Sequence, residues 1–399
     1  VNPNLLFLGT EYGVYISLNK GKSWDKFSAG LPTISVRDLA IQKRENDLVL
    51  ATFGRSFYVL DDYSALRDLD DELMKKDGYI FKPRKALQYN QIYGGTSSDG
   101  GQTYYAKNPA YGANIKFYIK DAPKSLKQKR KKAEKENMDF VGWDALDKEK
   151  NEQKNQSILV IKNKNGDIVS KISNPLKKGI NNVNWSLSSS IPTTVKSGSK
   201  SRYSSGVYTQ AKEGKYDLFL YTRINGVVTE VAGPVELEIE KIRSGTLQNP
   251  LSDQHDEYYK KLAETFTKVE MLEHKIEKAS DRVDTYQSVL MRLKNDINKS
   301  SKLVFDLVEM KNKLERKIGG SESKKEVGEK DNLTIYDRLW SAKGGWYPNS
   351  YGPTALHMRS YDIAKKMLDR LEPEISDYLS KVDEVGKILE EAGAPIVLD

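Results

Sequence analysis

Leu5-Leu6-Phe7-Leu8-Gly9-Thr10-Glu11-Tyr12-Gly13-Val14-Tyr15-Ile16-Ser17-Leu18-Asn19-Lys20-Gly21-Lys22-Ser23-Trp24 holds two β-rich runs and one polar turn. The runs recur: Leu6-Phe7-Leu8-Gly9-Thr10 followed by Gly13-Val14-Tyr15-Ile16 matches Leu48-Val49-Leu50-Ala51-Thr52 followed by Ser56-Phe57-Tyr58-Val59, a period of about forty-three residues. Further runs at Trp24 to Phe27 and Val36 to Ile41, separated by Gly, Asn, Asp and Pro, predict meandering antiparallel sheets. In the turn, the short polar side chain of Asn19 can accept from backbone amides and Gly21 can take a positive φ, while Trp24 can cover the sheet. With Trp24 as a covering residue, its truncation to alanine is expected to cost about 3 to 5 kcal/mol.

The repeat length fits four-stranded propeller blades. Ser17, Asn19, Gly21, Ser23 and Trp24 resemble the Asp-box (BNR) motif, Ser-x-Asp-x-Gly-x-Ser/Thr-Trp, with Asn19 in place of the usual Asp. The resemblance implies a structural role for Ser17, Asn19, Gly21 and Trp24. Together with Asn2-Pro3-Asn4, Gly30-Leu31-Pro32, and Phe53-Gly54-Arg55 leading to Leu60-Asp61-Asp62, residues 1–66 look like the closing blades of large sortilin-type BNR propellers of bacterial exported proteins, often labelled glycosyl hydrolases. It covers a blade and a half, so the expectation is that the remaining blades lie upstream of Val1. It also implies a secreted, periplasmic or cell-surface address, although no export signal is visible at Val1-Asn2-Pro3-Asn4. Residues 67–105 read as a linker.

Residues 106–242 carry strand-like runs at Ile115 to Ile119, Ile158 to Lys162, Ile168 to Ile172, Asn181 to Trp185, Tyr216 to Thr222 and Val227 to Ile239, with turns such as Asn165-Gly166 and Asn225-Gly226. Val183 and Trp185 alternate with Asn182 and Asn184 as on a half-buried strand, which favours Trp185 as core over a ligand platform. The region is similar to the immunoglobulin- or fibronectin-like β-sandwiches that follow such propellers. A basic insert, 120–156, interrupts it. Lys120 to Lys135 has eight Lys or Arg against Asp121 and Glu134, supplying most of the chain's net charge of +8. With no aromatic platform and no nucleic-acid motif, the run reads as a solvated helix or arm and argues against nucleic acid as a partner.

From residue 252 to 399 the period changes. Val269, Leu272, Ile276, Ala279, Val283, Tyr286, Leu290, Leu293 and Ile297 form a heptad seam. A second helix through Leu303, Leu307, Met310, Leu314 and Ile318 stops at Gly319-Gly320, and a polar loop spans Glu322 to Asn332. A third helix runs from Tyr361 to Leu389, with Pro373 expected to kink or restart it. These predict an antiparallel helical bundle. Between the last two helices, the aromatic loop 343–353 offers Trp346, Tyr347 and Tyr351 as a possible binding surface for a sugar or a protein, or as a plug packed against the chain itself.

The expected fold class is therefore multidomain β plus α: partial propeller blades, a β-sandwich and a helical bundle. The 399 residues contain no Cys, which excludes disulfides, thiolate metal sites and a cysteine nucleophile, and no apolar run is long enough to span a membrane. His255, His274 and His357 are too scattered for a metal pair, and no phosphate loop or nucleophile elbow occurs, so neither catalytic residues nor a cofactor are assigned. Asp61-Asp62 is the best carboxylate pair for glycoside hydrolysis, but adjacent residues on a strand face opposite ways. The expected function is recognition or scaffolding of a protein or glycan ligand by a non-catalytic chain. The rival is an accessory part of a sialidase-like glycoside hydrolase with its active site in upstream blades. A basic adaptor for nucleic acid or an anionic surface would rest on Lys120 to Lys135 alone.

Overall fold

The protein is described from a computed structural model for residues 2–28, 30–89, 109–135, 140–190, 208–243, 254–292, 297–344 and 353–394. It is a mixed β and α chain, β-rich in its first part and helical in its last. Two units make it up: Val1–Ser188 with Ala211–Ile242, and Ser189–Gln210 with Arg243–Asp399.

The first unit opens with two antiparallel meanders. One contains β1 (Leu6–Thr10), β2 (Gly13–Ser17) and β3 (Asp25–Phe27); the other contains β4 (Val36–Gln42), β5 (Asp47–Thr52) and β6 (Phe57–Leu60). The repeat extends to individual hydrogen bonds. Thr10 Oγ1 donates to the Gly13 carbonyl at 3.0 Å, and its counterpart Thr52 Oγ1 donates to the Ser56 carbonyl at 2.7 Å. Gly13 and Ser56, at matching positions, both have positive φ. The meanders share a core of Val14, Val36, Leu48, Leu50 and Tyr63. They differ in what flanks the repeated hairpin: β5 pairs with β4, whereas β1 has no outer partner among the described residues, and β2 pairs with β3, whereas β6 has none.

After a 3-10 turn, Tyr63–Arg67, come α1 (Asp71–Lys75), β7 (Gly78–Ile80) and β8 (Ala86–Gln88). The stretch expected to be a linker is thus partly sheet. β7 pairs antiparallel with β9 (Ala113–Ile119), giving up Ile80 to the core at 1% exposure. The basic insert forms two helices, α2 (Leu126–Ala133) and α3 (Trp143–Asn151). Then follow β10 (Gln156–Asn163), β11 (Ile168–Pro175), β12 (Gly179–Trp185), the short pair β13 (Ser188–Ser190) and β14 (Tyr208–Gln210), β15 (Gly214–Ile224) and β16 (Val227–Lys241). A five-stranded sheet in the order β11-β10-β15-β16-β8 and a three-stranded sheet β12-β9-β7 enclose one core. β8 joins it parallel to β16, with Ala86 opposite Ile239. Val183 and Trp185 are buried and Asn182 and Asn184 exposed; the Trp185 indole donates to the Ser188 carbonyl at 2.9 Å, so the ring is framework rather than a ligand platform.

The second unit contains the β13–β14 pair, apart from Ser188, together with α4 (His255–Leu290), α5 (Ile297–Gly319), α6 (Glu322–Glu326), α7 (Ile335–Lys343) and α8 (Ala355–Glu391). The helix that carries the expected seam ends at Leu290; Leu293 lies outside the described residues, and Ile297 opens the next helix. α4 and α8 run parallel: Thr265 meets Tyr361 and the Tyr286 hydroxyl donates to the Val382 carbonyl, at nearly constant offset. α5 and α7 together fill the place of one long helix running the other way. α5 reaches the middle of α8 through Lys317 and Glu374, and α7 continues along α4, with Tyr336 bonded to Glu273 and Tyr258 to the Ala342 carbonyl. The interruption lies between Gly319 and Thr334, where Asp331 accepts from the Ser321 amide and Thr334 caps α7 with Asp337. Where Pro373 was expected to kink or restart the last helix, α8 is a single helix through it. The ring lies on the exposed side, and the carbonyl it leaves without an amide partner, that of Asp369, is on an exposed residue.

Candidate functional site

The turn from Ser17 to Trp24 is held by its own side chains. Ser17, 1% exposed, accepts from the Gly21 amide at 2.8 Å, and Asn19 Oδ1 accepts from the Ser23 amide at 2.9 Å. Asn19 Nδ2 donates to Ser23 Oγ at 2.7 Å, a bond an aspartate could not donate. Gly21 has φ +83, and the Trp24 indole donates to its carbonyl at 3.1 Å. The polar side chains of Ser17, Asn19 and Trp24 are thereby spent on the loop itself, and the Lys20 amide ties it to the Asn4 carbonyl at 3.1 Å. Trp24 corrects one expectation. At 38% exposure it covers its own turn rather than a core, so Trp24→Ala is expected to cost about 1 to 2 kcal/mol, below the loss for a buried tryptophan, as read from thermal unfolding.

The pair Asp61-Asp62 divides. Asp61 is exposed, while Asp62 lies 2.9 Å from the Lys116 ammonium, with the side chains only 18% and 14% exposed, and accepts from the Ser64 amide. Burial pushes the Asp62 carboxyl up, but Lys116 and Ser64 outweigh it and hold it below the ordinary carboxylate range. A carboxylate so engaged ties the first meanders to β9 and is a poor proton donor. Because its folded value is depressed, its stabilisation is present above the unfolded carboxylate value, near about 3.9, and is lost as pH falls through the folded value. Asp62→Asn is therefore expected to cost about 2 to 3 kcal/mol at neutral pH. Unfolding measured from neutral to strongly acidic pH should show that deficit shrinking below about pH 4; a deficit independent of pH would mean the pairing is not ionic.

The basic arm is a clamped pair of helices. Arg130 Nε donates to Glu149 at 2.7 Å, Glu152 accepts from the Leu126 amide at 2.8 Å, and Ser125 with Gln128 caps α2. One feature escaped the sequence reading: Phe140 and Trp143, 64% and 74% exposed, meet edge to face at 5.0 Å beside this arm. Among the described residues, no group of three or more His, Asp or Glu is placed to hold a metal ion. The aromatic candidates Trp346, Tyr347 and Tyr351 lie outside the described residues.

A cleft of about 540 Å³ lies in the helical unit. It opens at the interruption between α5 and α7 and is walled by α8. Its charged residues come from two stretches of the chain, Arg316 to Asp331 and Arg370 to Glu374, which the packing of α5 on α8 brings together.

No protein-family model matches the chain, and no curated protein matches its sequence.

Proposed function

We propose that this chain is a non-catalytic recognition and scaffold portion of an exported modular β-propeller protein that engages a protein or glycan ligand. In this reading the two meanders are blades of a BNR-type propeller that continues into further blades, and the two sheets after them form an immunoglobulin- or fibronectin-like sandwich. The sandwich and the helical bundle act as rigid accessories. The observation that carries the reading is the chemically repeated hairpin. Thr10 and Thr52 make the same kind of hydroxyl-to-carbonyl bond across their hairpin turns, the second turn being one residue longer, yet only one copy of each flanking strand is present among the described residues. Repeated hairpins that differ in their flanking strands support the reading as parts of two blades, since an unpaired strand edge favours a further partner. The non-catalytic part is supported by the commitment of Asp62 to Lys116.

The test is a glycan array and an outer-surface protein pull-down with the purified chain, together with an aryl-glycoside panel. Binding without turnover is expected. Binding to neither class would overturn recognition. Turnover lost in Asp61→Asn or Asp62→Asn would replace the reading with that of a glycoside hydrolase.

A further inference from the structure

The interrupted arm of the helical unit leaves a cleft of about 540 Å³, within the range of sites that hold small organic ligands. Its apolar wall is Ile335 and Leu371, both buried, with Met367 and Leu333. Leu333 is 56% exposed although it lines a concave surface, so the cleft presents apolar area to solvent.

The charges sort into satisfied and unsatisfied. Lys317 is bound to Glu374 and Lys324 to Asp331 at 3.3 Å. Asp331 also accepts from the backbone amides of Ser321 and Asn332, and these bonds hold its carboxyl below its ordinary range. Both acids of the cleft are thus occupied. Two cations remain, Arg316 from α5 and Arg370 from α8, with no hydrogen-bond or ion-pair partner among the described residues. A guanidinium is always charged and offers a planar fork of donors that fits carboxylate or phosphate oxygens in pairs. Two such forks on one apolar cleft, with no free acid to compete, are complementary to a single kind of occupant.

We propose that this cleft binds an amphipathic organic anion, its carboxylate or phosphate oxygens held by Arg316 and Arg370 and its apolar body laid on Leu333, Ile335, Met367 and Leu371. The site stands apart from the propeller reading, since every residue in it belongs to the helical unit.

The full chain should be titrated calorimetrically with 1-naphthoate, 1-naphthyl phosphate and neutral 1-naphthylmethanol. These share one apolar body, and comparing the first two shows which oxyanion the forks prefer. Both anions are expected to bind about tenfold or more tighter than the alcohol, and less tightly as salt rises. Arg316→Ala/Arg370→Ala should lose about tenfold for the anions and leave the alcohol unchanged, while Arg316→Lys/Arg370→Lys recovers part of the loss. Arg359→Ala, also an exposed arginine on α8 but outside the cleft, should behave as the parent. Both cleft arginines are exposed, so unfolding midpoints should be unaltered and serve as the folding control. Equal affinity for alcohol and anions, an unaffected double alanine variant, or no binding up to the solubility of the probes would each overturn the proposal.

Discussion

Gly112→Ala is expected to destabilise the first unit by about 4 kcal/mol or more, among the largest effects a single methyl group can have. Gly112 immediately precedes β9, at the end of the ladder where Ala113 pairs with Trp185. Its φ is +117, which an L side chain rarely adopts, and a Cβ there would lie 2.0 Å from the Trp185 carbonyl oxygen and 2.9 Å from Ser186 Cα. Both obstacles are backbone, so no rotamer change relieves them. The end of β12 would have to move, and with it the Trp185 ring, which is 2% exposed and packs edge to face on Tyr216 at 5.6 Å. Urea unfolding combined with amide exchange over residues 113–119 measures the effect. Parent-like stability in the alanine variant would show that β9 and β12 can separate at this end without cost.

Gly386→Ala should reverse the usual sign of a helix substitution. In the middle of an exposed helix, replacing Gly by Ala gains about 1 kcal/mol. In α8 the new Cβ would sit 2.4 Å from the Tyr286 hydroxyl. Tyr286 cannot withdraw easily: it is fully buried, donates to the Val382 carbonyl at 3.1 Å and accepts from Arg282 at 3.0 Å. Arg282 is itself fixed to Asp383 at 2.6 Å. A net loss of about 2 kcal/mol is expected once the clash is set against the propensity gain. Removing the obstructing oxygen tests the cause. Tyr286→Phe alone should cost about 1 kcal/mol, and in that background Gly386→Ala should become nearly neutral, a coupling of about 2 kcal/mol in a double-mutant cycle. Additive losses would place the origin of the effect elsewhere.

Local chemistry accounts for what could be read before the structure. The hairpins at Thr10 and Thr52 are visible because alternation and turn residues occur within a dozen positions, and the turn from Ser17 to Ser23 is visible because the hydrogen bonds of its Ser17 and Asn19 side chains are made within it. The seams of α4 and α8 are visible because burial there follows the helix period, from Val269 to Leu290 and from Ala364 to Leu389. β7 and β8 are three residues each, too short for any period, and are strands only because β9 and β16, distant in sequence, lie alongside. The exposure of Trp24 is not legible for a related reason: burial depends on what lies above a ring, which the ring's own motif does not specify. The same holds for Arg316 and Arg370. Neither belongs to a motif, and their sharing of one cleft depends on α5 ending near the middle of α8.

The gap between α5 and α7 also bears on how this chain can change. α4 and α8 supply continuous core faces, and α5 and α7 each bury their own side against them, so none of residues 320–333 is buried. Lengthening that segment would raise the loop-closure cost by only about 0.6 kcal/mol per doubling, without touching a packed residue. The stretch that supplies Leu333 and Lys324 to the cleft can therefore drift in length and composition while the three helical faces beneath it stay as they are, which separates the evolution of what is bound from the evolution of what holds the unit together.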